Sequence, residues 1–89
     1  MEQNRIIIVG ATSGIGRETA RLFIEAGWRV GIAGRREGEL RSLQQKAPDR
    51  IDWEVIDITR EEAPEALQRL IDKIGGMDCY LHVSGIGFQ

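Results

Sequence analysis

The sequence lacks the materials for several kinds of protein. It holds one cysteine, Cys79, among 89 residues. It can therefore close no internal disulfide and build no cysteine zinc centre, and a single thiol suits a reducing, cytoplasmic compartment. No metal-ligand cluster is expected. The formal net charge is -2 and the isoelectric point about 5.4, so the basic footprint of a general nucleic-acid binder is missing. No apolar run approaches the roughly 18 residues of a membrane span. Met1-Glu2-Gln3-Asn4 lacks the charged-then-apolar pattern of a secretory leader. There is no low-complexity tract, linker or internal repeat. Tyr80 is the only tyrosine, and Ser84, not lysine, stands four residues after it.

Glycine, by contrast, is plentiful, with 11 residues, and its placement is informative. Ile6-Ile7-Ile8-Val9 runs into Gly10-Ala11-Thr12-Ser13-Gly14-Ile15-Gly16, and a helix-forming stretch follows. A strand, a glycine turn and a helix in that order make a phosphate-binding corner. Bare backbone lets a diphosphate come close, and the helix N-terminus supplies N–H groups and a positive dipole end. The spacing G-x-x-x-G-x-G is neither G-x-G-x-x-G nor a P-loop. Without a ligand, the same residues would read as a tight strand-to-helix turn.

Strand-like and helix-like segments alternate through the rest. The predicted strands are Arg5–Val9, Arg29–Ala33, Ile51–Ile56 and Cys79–Val83. The predicted helices are Gly14–Ala26, with Ile15, Thr19, Leu22, Phe23 and Ala26 as its apolar stripe, then Glu37–Lys46, ended by Pro48, and a third opening at Thr59. Thr59-Arg60-Glu61-Glu62 fits a capping box, Ala63, Leu67, Leu70, Ile71 and Ile74 form the third stripe, and Gly75-Gly76 closes it. The pattern β-α-β-α-β-α-β predicts an α/β fold, a parallel Rossmann-type sheet with strand order 3-2-1-4 and one incomplete doubly wound domain over residues 1–89. Two helices should cover one face and one the other. An apolar fourth strand at an open edge predicts either self-association or a longer polypeptide.

Two further strand ends bear on the ligand. Strand two ends Gly34-Arg35-Arg36, with no acid to bond a ribose 2′-hydroxyl but two guanidiniums suited to a 2′-phosphate. This favours NADP over NAD, with Arg35 ahead of Arg36, and disfavours a methyltransferase domain, which wants an acid there. Strand three ends Asp57-Ile58, where a carboxylate could accept from an adenine amino group or simply start the next helix.

Together these residues resemble the short-chain dehydrogenase/reductase family. Val9-Gly10-Ala11-Thr12-Ser13-Gly14-Ile15-Gly16 is similar to its T-G-x-x-x-G-I-G cofactor turn, Ala33-Gly34-Arg35-Arg36 to its NADP-preferring members, and Asp57-Ile58-Thr59 to its adenine-contacting segment. His82-Val83-Ser84-Gly85 stands where the family usually has N-N-A-G. The resemblance implies NADP(H) binding by Gly10, Thr12, Ser13, Gly14, Ile15, Gly16, Arg35, Arg36, Asp57, Ile58, Ser84 and Gly85. It further implies hydride transfer between a carbonyl and an alcohol on a small substrate in a complete protein. The family's catalytic serine and Y-x-x-x-K lie beyond its fourth strand, so no catalytic residue is assigned here and these residues alone are not expected to turn over. The role of the second asparagine does not carry over to Val83. A non-catalytic NADP-binding regulatory module is the alternative. Tyr80, Cys79, Trp28 and Trp53 are expected to pack, and His82 to be a hydrogen-bonded packing residue.

Overall fold

The computed structural model describes residues 4–11 and 14–83. Among them, four strands form one parallel sheet: β1 (Arg5–Val9), β2 (Arg29–Gly34), β3 (Ile51–Val55) and β4 (Cys79–His82), in the order β3-β2-β1-β4. The connecting helices are α1 (Gly14–Glu25), α2 (Glu37–Gln44) and α3 (Ala63–Ile74). The predicted order 3-2-1-4 is the one observed.

A parallel strand covered on both faces has no use for alternating polarity, and β1 shows why its run is continuous. Ile6 and Ile8 point into one core with Ala20, Val30, Ile32, Leu40, Leu43 and Ile51. Ile7 and Val9 point into the other with Ala33, Ile56, Ala66, Leu70 and Ile74. Helices α1 and α2 supply the first face and α3 the second, as expected from the crossovers. Phe23 and Trp28 meet edge to face at 4.8 Å beside the first core, and Trp53 also packs against it.

Where α3 crosses β2 the sheet needs Gly31. A Cβ there would lie 2.7 Å from Ile7 Cδ1 and 3.0 Å from Leu70 Cγ. Helix α3 ends as predicted: Gly75 takes the left-handed conformation at φ 87° and its N–H reaches the Asp72 carbonyl. The chain is then clamped to β1. Arg5 donates from its backbone N–H to the Asp78 carboxylate at 2.9 Å and from Nη1 to the Gly75 carbonyl at 2.8 Å, while the Asp78 N–H donates to the Arg5 carbonyl at 2.9 Å. This fixes the register in which His82 lies opposite Val9.

Four expectations need correction. The third helix opens at Ala63, not Thr59, because the Asp57 carboxylate accepts from both the Thr59 N–H and hydroxyl and holds the chain in a turn. Ile15, Leu22 and Ala26 are exposed, because α1 ends at Glu25 and turns Gly16 and Ala20 to the sheet, with Phe23 and Ile24 half-buried against the same core. Ala66, absent from the predicted third stripe, is buried at its centre. Cys79 and Tyr80 are exposed, because β4 is the sheet's edge among the described residues: on the Cys79 face α1 sits over β1 and β2, and on the Tyr80 face α3 sits over β1, β2 and β3.

One substitution made twice tests the packing. Gly31→Ala is expected to destabilise the fold by about 1–3 kcal/mol, the usual effect of overfilling a packed core. Gly38→Ala, on α2 with nothing within 4 Å of its new methyl, is expected to stabilise by about 0.5–1 kcal/mol. Urea midpoints compare the two directly, and shifts of the same sign would contradict this packing.

Candidate dinucleotide-binding site

The sheet order reverses between β1 and β4, and the carboxyl ends of these strands meet the start of α1. The backbone there is tied across three strands. Gly10 and Ala11 both donate to the Ala33 carbonyl, at 2.8 and 3.2 Å, and the Val83 N–H donates to the Val9 carbonyl at 2.8 Å. Gly10 has φ +90°, and a Cβ on it would collide with the Val83 carbonyl oxygen. A Cβ on Gly16 would overlap the Gly10 carbonyl and lie 2.7 Å from Ala11 Cα. These two glycines are therefore required by the protein itself, as the ligand-free reading allows.

Gly14 is different. It has no positive φ, and among the described residues nothing lies within 4 Å of the Cβ it lacks. Packing by the described residues gives no reason for glycine at this position, which opens the first turn of α1. That turn carries no acidic residue, whereas α2 has Glu37 and Glu39 in its first turn and α3 has Glu65. An open approach and an N-terminus without competing carboxylates suit a phosphate. Ile15, next along, is 69% exposed and free of the core. Thr12, Ser13, Ser84 and Gly85 lie outside the described residues.

Beside this corner, Arg35, Val55, Ile56, Asp57 and Arg60, with the start of α3, line a recess of about 340 Å³, in the range of small-ligand sites. Arg35 is on its wall. Arg36, the N-cap of α2, instead reaches Glu39 at 3.2 Å. Asp57 uses one carboxylate oxygen on Thr59, accepting its N–H at 3.0 Å and its hydroxyl at 2.6 Å. The other oxygen lies 3.9 Å from Arg60 Nε. The Thr59 hydroxyl, then its N–H, hold the Asp57 carboxyl below the usual aspartate range. The charges of Arg35 and Arg60 add to this against a desolvation effect that opposes it. Asp57 thus serves a turn rather than a helix start, and still presents an oxygen near the recess. Ile58 is half-exposed and lines an adjoining, more apolar recess with Val9, Tyr80 and Leu67. Tyr80 and His82 stand edge to face at 6.4 Å on the α3 side of β4. The capping-box pattern places Arg60 in the first turn of a helix, with no role at the site. Its position three residues after Asp57, in a turn rather than a helix, was the signal that it could look back at that carboxylate.

The chain aligns with a family model described as short chain dehydrogenase over residues 4–89. The chain belongs to the short chain dehydrogenase family. It is 39% identical over 82 residues to serine 3-dehydrogenase of Agrobacterium fabrum, a match covering 91% of this chain and 33% of that protein. It thus spans about a third of the length of that relative. Among solved structures, the 3-ketoacyl-(acyl-carrier-protein) reductase of Brucella melitensis, complexed with NADH, superposes with a TM-score of 0.82 at 26% identity, covering 89% of this chain and 33% of that one. A variant of the actinorhodin polyketide ketoreductase with NADPH superposes with a TM-score of 0.84 at 26% identity, covering 94% and 34%. The short chain dehydrogenase match takes in all four strands of the described sheet and the crossovers between them.

The Asp57 carboxyl gives a pH test. Its folded pKa lies below the ordinary 3.8, so its ionised form stabilises the fold above that value. This contribution is lost as the pH falls through the folded pKa. Asp57→Asn keeps the turn's acceptor and removes the charge. Its urea midpoint is expected to fall below that of the unsubstituted protein at pH 7, and the gap to close on acidification below 3.8. A gap that stays constant with pH would contradict the assignment.

Proposed function

We propose that this chain is the cofactor-binding N-terminal part of a longer short chain dehydrogenase domain, that its cofactor is NADP(H), and that the parent protein interconverts a carbonyl and an alcohol on a small substrate. The observation that carries the reading is Gly14: a glycine with no packing reason among the described residues, opening a helix with no acid in its first turn, beside the switch in strand order. In this reading Gly10, Thr12, Ser13, Gly14, Ile15 and Gly16 surround the diphosphate. The first helical turn of α1 faces its negative charge. Ser84 and Gly85, next after β4 in the sequence, complete the set of cofactor contacts in this reading.

Arg35 supports NADP. The relatives do not separate the two cofactors, since one solved neighbour holds NADH and another NADPH. The chain's own residues do lean one way. A ribose 2′-hydroxyl wants a carboxylate at the end of β2, and Gly34-Arg35-Arg36 offers two cations instead. Arg35 is the principal 2′-phosphate contact because it lines the recess, while Arg36 is engaged with Glu39 and serves second. The free oxygen of Asp57 accepts from the adenine amino group, with Ile58 beside the ring. The bound nicotinamide would give or take the hydride. The proton-handling serine, tyrosine and lysine of the family belong to the two-thirds of its length that this chain does not match.

Fluorescence titration of the protein with NADPH and NADH tests this. NADPH is expected to bind more tightly, and Arg35→Ala to remove most of that preference by weakening NADPH about tenfold or more, the scale of a lost charge-assisted phosphate contact. Gly14→Ala is expected to weaken both dinucleotides without lowering the urea midpoint. Equal affinity for both cofactors in the unsubstituted protein would overturn the NADP assignment, and no affinity for either would overturn the whole reading.

A further inference from the structure

We propose that Arg60 is a second, non-discriminating contact to the adenosine end of the dinucleotide, its guanidinium plane stacking on the purine. This rests on the dinucleotide reading above but not on the choice between NADP and NAD. Arg60 follows β3 in a turn whose backbone is fixed at both ends: its N–H donates to the Asp57 carbonyl at 2.9 Å and its carbonyl accepts from Ala63 at 3.2 Å. The side chain is exposed yet lines both the 340 Å³ recess beside Arg35 and the adjoining apolar recess beside Ile58. It stands as the partition between them.

Charge decides what it can hold. Asp57 Oδ2 lies 3.9 Å from Arg60 Nε, Glu62 lines the same recess and Glu61 the next one. A dianionic phosphate drawn to Arg60 would come up against the Asp57 carboxylate already paired with it, whereas among the described residues Arg35 is in no ion pair. A neutral base meets no such penalty. The base would lie where the two recesses meet at Arg60, against Ile56 and Ala63, which line both, and Ile58, and a guanidinium stacks readily on a purine face. Asp57 orients the guanidinium with the oxygen that Thr59 leaves available. Arg35 and Arg60 therefore divide the work. Arg35 reads the substituent on the ribose, and Arg60 grips the base that every such cofactor shares.

The test is titration of the Arg60→Ala protein with NADPH, NADH and reduced nicotinamide mononucleotide, which has no adenosine. The two dinucleotides are expected to weaken equally, by about five- to tenfold, the lower part of the range for a lost base stack, with the mononucleotide unaffected. Arg60→Tyr, flat and uncharged, is expected to recover most of the loss. A loss confined to NADPH would make Arg60 a phosphate contact and overturn the proposal. So would unchanged affinity for both dinucleotides, or failure of the tyrosine to recover it. Should Arg35→Ala leave the NADPH-to-NADH ratio untouched while Arg60→Ala weakens both, the NADP assignment falls and this proposal stands. Absence of dinucleotide binding to the unsubstituted protein overturns both.

Discussion

The structure depends on three stretches of main chain brought closer together than side chains allow. Gly10 passes under the Val83 carbonyl at the end of β4, and Gly16, on the first turn of α1, sits against the Gly10 carbonyl. This contact draws the helix onto the strand and brings the helix N-terminus to the carboxyl edge of the sheet. The hydrogen bonds from Gly10 and Ala11 to Ala33 tie the same point to β2. The clamp of Arg5 on Gly75 and Asp78 sets the register of β4 from the opposite end. Once these are made, no described residue lies within 4 Å of the position a Gly14 Cβ would take.

Charge is arranged around this corner with the same economy of parts. The first turn of α1 carries no acid, whereas the other two helices have glutamates there. Cations gather after β2 and β3, and Asp57 stands between them with one oxygen committed to Thr59 and the other toward Arg60. That carboxylate links fold to site: it delays the start of α3 by several residues, and the turn it makes carries Arg60 to the recess.

Much of this was legible in the sequence, for physical reasons that can be named. The unbroken Ile6-Ile7-Ile8-Val9 run meant two covered faces, and the alternation of periods meant crossover helices, so strand order and the glycine corner could both be written down. The failures have a common cause, which is that a local pattern does not know its competitor. Thr59 looked like a helix cap, but Asp57, two residues earlier, took both of its donors. Tyr80 and Cys79 looked like buried strand residues, but burial needs a neighbour on the outer side of β4. Ile15 and Leu22 repeat with helical spacing, yet the face α1 turns inward is set by the close approach of Gly16, with Ala20 one turn on. Arg60 read as part of a capping box because the turn that carries it past Asp57 is set by the Thr59 hydrogen bonds.

The central claim is that the bare backbone between β1 and α1 is a diphosphate seat. A structure of the protein with NADPH bound tests it most directly. The account predicts the diphosphate oxygens within hydrogen-bond distance of the N–H groups that open α1, against the face of Gly14, with the 2′-phosphate beside Arg35. A dinucleotide seated elsewhere, leaving that turn to solvent, would contradict it.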